Sequence, residues 1–583
     1  MRNLRTRQIR ALALPALLAL TGAAAAPPAA AAVPSLSLSL KPGIAANTSN
    51  IDHLDVTLLI ENASPANNAP ILQIPLVVTN VVTSAERIAD LAASDSRGAL
   101  HLTLHDKGGS ADGLRQWFAD RPVEGTLHVH YRVPTSAPPA PRGAAPPLEL
   151  TSESGGFSGA GSTFLLLPPG DKRYRLAVEW DLSGLPAGAA GVSSLGVGDA
   201  APSSPLPPEA LADSFFMGGA IGRFPDQGTA DGFFSVWQGK PPFEVKPLME
   251  WGARLRSHYI RFFKDNSPEP YGVFIRRNLV NPGGGVALHH SFVTTYGEKT
   301  GSDPDDLELT LAHEMFHTFS PRIGDPAGLE SSWFGEGLAT YYQRDLPFRF
   351  GMIDPATFLE DLNYTAGRYY TNALRNAPNS EVPKRFWEDT RIRTLPYDRG
   401  ALYFATVDHA VRKASGGKRS LDDLVLAMRA RQLAGKTLTN KDWEELVRKE
   451  LGAKGVEDFR AMLQGATPLP ASDAFGPCFR RVTKQLRRYQ LGFDPKVLVE
   501  PKRIVRGLIA GSAAAKAGLR DGDEILKPVG QDHIQGDQTG ILTLQIRRGD
   551  EEMTIRYLPR GETVDAWQWA RVPGVPDTAC ARN

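Results

Sequence analysis

The chain has 583 residues and a mass of 63.1 kDa, several times the size of an ordinary domain, so it is read as multidomain. Its 65 Lys and Arg against 64 Asp and Glu leave a formal charge of +1, with no global field to recruit nucleic acid. Two cysteines exclude a cysteine-rich zinc site or a disulfide-stapled scaffold, so any metal must rest on His, Asp and Glu.

Residues 1–33 read as a secretory signal peptide. Arg2, Arg5, Arg7 and Arg10 precede a short apolar run, then small residues with cleavage near Ala26 or Ala32. Pro15, Pro27 and Pro28 interrupt that run, which argues against a stable membrane span. The expected location is therefore periplasmic or secreted. Removal of the four arginines takes the formal charge from +1 to −3. An oxidising compartment would also permit a disulfide between Cys478 and Cys580, bracketing a C-terminal module.

Residues 34–200 read as an all-β domain. SLSLSL alternates, and HLDVTLLIEN, TLHVHYRV and YRLAVEW follow, separated by Pro/Gly/Ala-rich loops such as 134–147. His128 and His130 alternate on one strand and read as a solvent-facing pair. Residues 205–480 form a second domain, a small sheet followed by a helical half. Its expected elements are a helix over 249–265, a strand over 271–280 and a glycine-softened strand over 283–296. Helices follow over 304–318, 333–345, 356–364, 397–414, 420–431, 440–450 and 455–463. Residues 483–562 return to β structure with short helices, and 563–583 read as a tail. The fold class is thus multidomain α+β.

The central signal is SDPDDLELTLAHEMFHTF. Ser302 or Asp303 would cap a helix with Pro304 in its first turn and Asp305 and Asp306 near its positive end. His313 and His317, four residues apart, then share one face and point at one zinc ion, with Glu314 flanking it as general base. Eighteen residues separate His317 from Glu336 in SSWFGEGLATYY, the expected third ligand, on a helix capped by Ser331 or Ser332. One zinc ion per chain is expected. Such a centre hydrolyses peptide bonds: zinc activates water and polarises the carbonyl, Glu314 moves the proton to the leaving nitrogen, and a second donor steadies the oxyanion. Tyr397 in LPYDRGALYF is the first choice for that donor, with Tyr403 and Tyr342 behind it. His289, His290 and His409 could orient a ligand or contact substrate, with His289 the candidate substrate-binding residue among them, though the sequence pattern alone gives them no role.

His313, Glu314, His317 and Glu336, with Gly337 and Tyr341–Tyr342, resemble the gluzincin metallopeptidases. The order of modules resembles the M61 glycyl aminopeptidase family over nearly the whole mature chain. That resemblance implies an N-terminal β domain, a thermolysin-like catalytic domain and a C-terminal PDZ domain, and gives Tyr397 the transition-state role. The family's strand edging the active site usually carries a glutamate that holds the substrate's amino group. Here the matching stretch is Ala287-Leu288-His289-His290, with His289 in the glutamate's place, and an imidazole does not reproduce a carboxylate's attraction for ammonium. Aminopeptidase and endopeptidase readings therefore both stand. Gly284 and Gly285, within Gly283–Gly285, would let a substrate backbone pair with this edge strand.

In the C-terminal module, Leu491-Gly492-Phe493 resembles the carboxylate-binding loop at the start of a PDZ binding strand, and Gly518 through Asp523 the turn that accompanies it. A peptide C terminus would bind there. The basic stretch RRVTKQLRR lacks interleaved aromatics, so no nucleic-acid partner is expected. The competing reading is a catalytically weak peptide-binding or scaffold protein built on the β and PDZ modules.

Overall fold

The computed structural model describes residues 33–580 apart from 47, 49, 64–68, 109–112, 136–145, 227–231, 268, 279–284 and 298–303. The signal segment, Gly284 and the Ser302 and Asp303 capping pair lie outside the described residues. No helix among the described residues is long and apolar enough to cross a membrane.

The alternation in SLSLSL becomes a strand, Ser35–Ile44, in which Leu36, Leu38 and Leu40 are fully buried. It pairs in parallel with Arg175–Trp180 and antiparallel with Ile51–Ile60, inside a six-stranded sheet. His128 and His130 lie on another strand of that sheet, Leu127–Pro134, and both are exposed. A five-stranded sheet lies next in the chain, and its central strand is Phe215–Gly219, paired to Gly156–Ala160 and Ala190–Ser193. This sheet continues past the expected boundary at residues 200–205. Phe215-Phe216-Met217 is buried throughout, so the strand shows no alternation to mark it.

The central region opens on a five-stranded mixed sheet: β1 (Ile221–Phe224), β2 (Phe233–Gln238), β3 (Tyr271–Arg277), β4 (Gly285–Leu288) and β5 (Ser291–Tyr296), in the order β1-β2-β3-β5-β4. The single strand expected over 283–296 is instead the hairpin β4–β5, with His289 and His290 as its two-residue turn. Helix α1 (Val245–Phe263) connects β2 and β3. The helical half comprises α2 (Pro304–Phe319), α3 (Ser332–Arg349), α4 (Pro355–Tyr370), α5 (Leu395–Ala414), α6 (Leu421–Leu433) and α7 (Asn440–Leu463), the last bent at Gly452.

Helix α3 is buried nearly all round, with Trp333, Phe334, Leu338, Tyr341, Tyr342 and Leu346 all inside, so it runs through the middle of the helical core. Neither expected serine cap forms. Ser331 Oγ donates to the Pro326 carbonyl, and Ser332 Oγ donates to Leu329 O. Helices α3 and α5 cross in backbone contact at Gly337 and Gly400. A Cβ on Gly337 would meet Gly400 Cα at 2.6 Å, and one on Gly400 would meet Trp333 O at 2.5 Å.

The C-terminal region has its own small core, from Tyr489 to Tyr557, around the four-stranded sheet Arg503–Ile504, Glu524–Ile525, Leu542–Arg548 and Glu551–Tyr557. It stands on a stem of two long antiparallel strands, β6 (Phe479–Tyr489) and β7 (Arg560–Arg571). The residues expected to be a tail from 563 onward are thus largely strand. Ala566 and Trp569 are buried in the helical core, and Asn363 of α4 bonds the Trp569 backbone. Cys478 and Cys580 are bonded, with Cα atoms 5.1 Å apart, and both are buried in that same core. The bond brackets the C-terminal module in sequence and fastens the foot of its stem.

Candidate metal centre and catalytic cleft

The spacing in α2 puts His313 and His317 on one face, and α3 brings Glu336 opposite them. His313 Nε2 is 3.2 Å from Glu336 Oε2, His317 Nε2 is 3.3 Å from the same oxygen, and the two imidazole nitrogens are 3.3 Å apart. Ligands at 2.0–2.1 Å in a tetrahedron stand roughly 3.3 Å from one another. The three atoms therefore form one face of a zinc-sized tetrahedron, and the donor set suits zinc.

The support behind His313 escaped the sequence reading. Its Nδ1–H donates to Gln343 Oε1 at 2.9 Å, and Gln343 Nε2 donates to Asp361 Oδ1 at 2.9 Å. Asp361 is held in turn by Arg344. This network assigns the His313 tautomer with a lone pair on Nε2, facing the other ligands. Gln343 lies two helical turns after Glu336 on α3, a spacing that could have pointed to it.

Burial works against both charged forms of the ligand set, yet the mutual pairing prevails. His313 is raised despite burial, chiefly by its bond to Glu336, and Glu336 is held well below the usual carboxylate range by His317 and His313. Glu314 is raised by burial, with the two histidines acting against that shift, and the Ala287 N–H donates to its carboxyl group.

The cluster opens on a cleft of about 690 Å³. Glu314, His317, Glu336 and Tyr397 line it, with Gly285–Ala287 of β4 along one wall and Phe386 and Trp387 along another. Tyr397, in the first turn of α5, stacks on His313 with ring centroids 6.0 Å apart, and burial followed by Glu336 and Glu314 keeps its phenol protonated. Tyr403 and Tyr342, the weaker candidates, are excluded by their contacts: Tyr403 accepts from Trp443 Nε1 and Tyr342 donates to Asp422, both in the core. His409 pairs with Asp473 and does not line the cleft.

His289 does not line the cleft either. Strand β4 ends at Leu288, and the turn carries His289 to a separate cavity beside Glu269. The strand residue that faces Glu314 is Ala287, so this wall offers a methyl group and a backbone N–H, without a carboxylate. Three further groups in the cleft carried no sequence signal: Arg322, Arg393 and Asp532. Asp532 comes from the C-terminal module. Its Oδ1 accepts from Arg393 at 2.5 Å, and Thr390 Oγ1 also donates to it.

In the C-terminal module, Leu491, Gly492 and Phe493 line another cavity, of about 830 Å³, with Arg391, Arg488, Lys516 and Arg560 also on its walls. The expected binding strand does not follow the loop. Asp494 caps a 3-10 turn, Pro495–Val499, instead.

Among solved structures, the chain is similar to an aminopeptidase N family protein from Idiomarina loihiensis. The two are 16% identical with a TM-score of 0.63 over 92% of this chain and 98% of that one. It also resembles an M1 zinc metallopeptidase from Deinococcus radiodurans (17% identity, TM-score 0.48, 75% and 96% covered) and yeast LTA4 hydrolase (13%, 0.48, 75% and 69%). The Idiomarina structure shows that this chain has that protein's fold, sheets and helical region together. The other two superpose too loosely to bear on it. No family model matches the sequence, and no curated protein matches it.

Proposed function

We propose that the protein is an exported zinc-dependent peptidase of the gluzincin kind, organised like the M61 glycyl aminopeptidases. The observation that carries this is the triangle of 3.2, 3.3 and 3.3 Å formed by His313, His317 and Glu336, with Glu314 and Tyr397 on the same cleft. The scaffold reading gives no reason for three ligand groups, one buried and two half-buried, at this spacing.

Bound by His313, His317 and Glu336, zinc supplies Lewis acidity toward a carbonyl oxygen and makes water a stronger acid. Glu314 takes a proton from the attacking water at its carboxylate and returns it to the leaving nitrogen. The Ala287 N–H holds that carboxylate in place. Tyr397 donates its phenolic hydrogen to the oxygen that gains charge, without adding a charge of its own. Phe386 and Trp387 give the cleft an apolar wall for substrate side chains.

The lining favours a peptidase that does not require a free N terminus. Of the three lining carboxylates among the described residues, Glu314 and Glu336 belong to the reaction centre, and Asp532 is already paired with Arg393. None is left to anchor an ammonium group as strongly as an unpaired glutamate would. Export is supported by the signal-like N terminus and by the Cys478–Cys580 bond. A C-terminal peptide ligand at Leu491–Phe493 rests on the resemblance of that loop alone, because Arg391 and Arg488 on the cavity wall are paired with Asp389 and Glu562.

Glu314→Gln is the direct test. It should leave zinc at the centre and lower hydrolysis of a mixed peptide library by about 10²–10⁴-fold. Full turnover in the variant would remove the base from the scheme. N-acetylation of the library should leave cleavage by the wild type intact; loss of cleavage would restore a strict aminopeptidase.

A further inference from the structure

A second set of ligand-type side chains lies outside the cleft, where the β4–β5 turn meets the loop before β3. Glu269 Oε2 is 2.9 Å from His290 Nε2 and 3.7 Å from His289 Nε2, and one ligand atom from each residue lies within 4.8 Å of the other two. The first two separations bracket the roughly 3.3 Å edge of a zinc tetrahedron. The group opens on a cavity of about 250 Å³ whose other walls include Ser194, Leu195, Leu206 and Pro270, which leaves room for a fourth ligand.

The backbone holds both histidines in place. The His289 N–H donates to Asp213 O at 2.9 Å, and His290 O accepts from the Gly272 N–H at 3.0 Å. His290 has φ of +39°, the left-handed conformation that the tight β4–β5 turn calls for and that His adopts more readily than most side chains. Burial, then the neighbouring His290 ring, pull His289 down to about 4, so it presents a neutral nitrogen. Glu269 is kept ionised by its bond to His290.

We propose that Glu269, His289 and His290 form a second divalent transition-metal site, separate from the catalytic centre. Two imidazoles and one carboxylate are a donor set that zinc accepts. The ion would tie the β4–β5 turn to the entry of β3. The other end of β4 is the cleft wall at Gly285–Ala287, so this is a structural ion that stiffens the strand against which Glu314 is held.

The site is independent of the peptidase reading, and metal counting separates the two. The full mature chain is stripped with chelator, loaded with excess zinc, desalted and analysed for bound metal. The wild type should retain two equivalents. His290→Asn, whose side chain tolerates the left-handed backbone, and the isosteric Glu269→Gln should each retain one. His313→Ala/His317→Ala should also retain one, and zinc should raise its unfolding temperature until Glu269→Gln is added. If His290→Asn and Glu269→Gln hold as much zinc as the wild type, the cluster is an ion pair and the second site is refuted. A single wild-type equivalent lost with His313→Ala/His317→Ala refutes the second site and leaves the catalytic one. A single equivalent lost with Glu269→Gln instead overturns the peptidase reading and leaves this site standing.

Discussion

Gly337→Ala is the sharpest probe of how the helical core sets the chemistry. Glu336 precedes Gly337 on α3, and Tyr397 lies three residues before Gly400 on α5. The added methyl carbon would lie 2.6 Å from Gly400 Cα and 2.8 Å from Gly400 C, both backbone atoms that no rotamer change can move. An unstrained carbon contact needs roughly 3.5 Å, so the helices must part by about 1 Å. Overpacking of this kind costs about 1–3 kcal/mol of stability. The displacement also separates Tyr397 from the ligand helix, and a shift near 1 Å in a positioned group costs on the order of 10²-fold in rate. Glu336 sits on the side of α3 that faces α2, the helix carrying both histidines, so zinc should remain bound. The assay is kcat and KM on a cleaved peptide, with metal content and a urea midpoint on the same preparation. A variant with wild-type kcat and an unchanged midpoint would refute the claim that this glycine contact sets the distance between ligand and donor helices.

Gln343→Leu removes the acceptor for His313 Nδ1–H and should weaken zinc binding by about 10–100-fold, measured by chelator competition; unchanged affinity would show that the Gln343–Asp361 relay does not orient the ligand. Reduction of the disulfide, or Cys478→Ser/Cys580→Ser, frees a loop with a sequence separation of 102 residues, for which chain entropy gives a ceiling of about 4.7 kcal/mol. A clear fall in the urea midpoint is expected, and an unchanged one would mean the β6–β7 stem alone holds the module. Asp532→Asn leaves the Arg393 guanidinium without its carboxylate; the pair is half exposed on the aspartate side, so a loss of about 1 kcal/mol is expected. Faster proteolysis of the C-terminal module should accompany it, and unaltered proteolysis would argue that Asp532 does not fasten the module to the cleft.

What the sequence disclosed tracks the range of the forces involved. The period-two leucines at 36, 38 and 40 and the four-residue spacing of Leu307, Leu311 and Met315 are local signals, and their elements form where expected. His313, His317 and Glu336 were legible because two lie one helical turn apart and the third sits in an unusually aromatic helix. Phe215–Gly219 escaped because a strand buried on both faces has no alternation. The β4–β5 turn escaped because it carries two histidines where Gly, Asn or Pro would announce it. The family resemblance put His289 at the cleft, and that placement needs a strand running through, with residues 285, 287 and 289 on one face, but the strand stops at 288. Arg393 and Asp532 are 139 residues apart, and no local pattern encodes such a contact.

The cleft divides its labour along the same lines, and this gives the substitutions above a common logic. The proposed ligands, base and oxyanion donor stand on α2, α3 and α5, whose apolar faces make one continuous core. The walls that would meet substrate come from distant segments: Thr79 and Pro146–Pro147 from the β region, Gly285–Ala287 from an edge strand, Phe386 and Trp387 from a connecting turn, and Asp532 from the C-terminal module. Changes in the helices act on groups that move protons or hold the metal, so they should lower kcat. Changes in the walls act on groups that meet substrate before any bond is altered, so they should raise KM with little effect on kcat. The C-terminal module then needs no ligand of its own to matter for catalysis, because one of its carboxylates is already part of the wall.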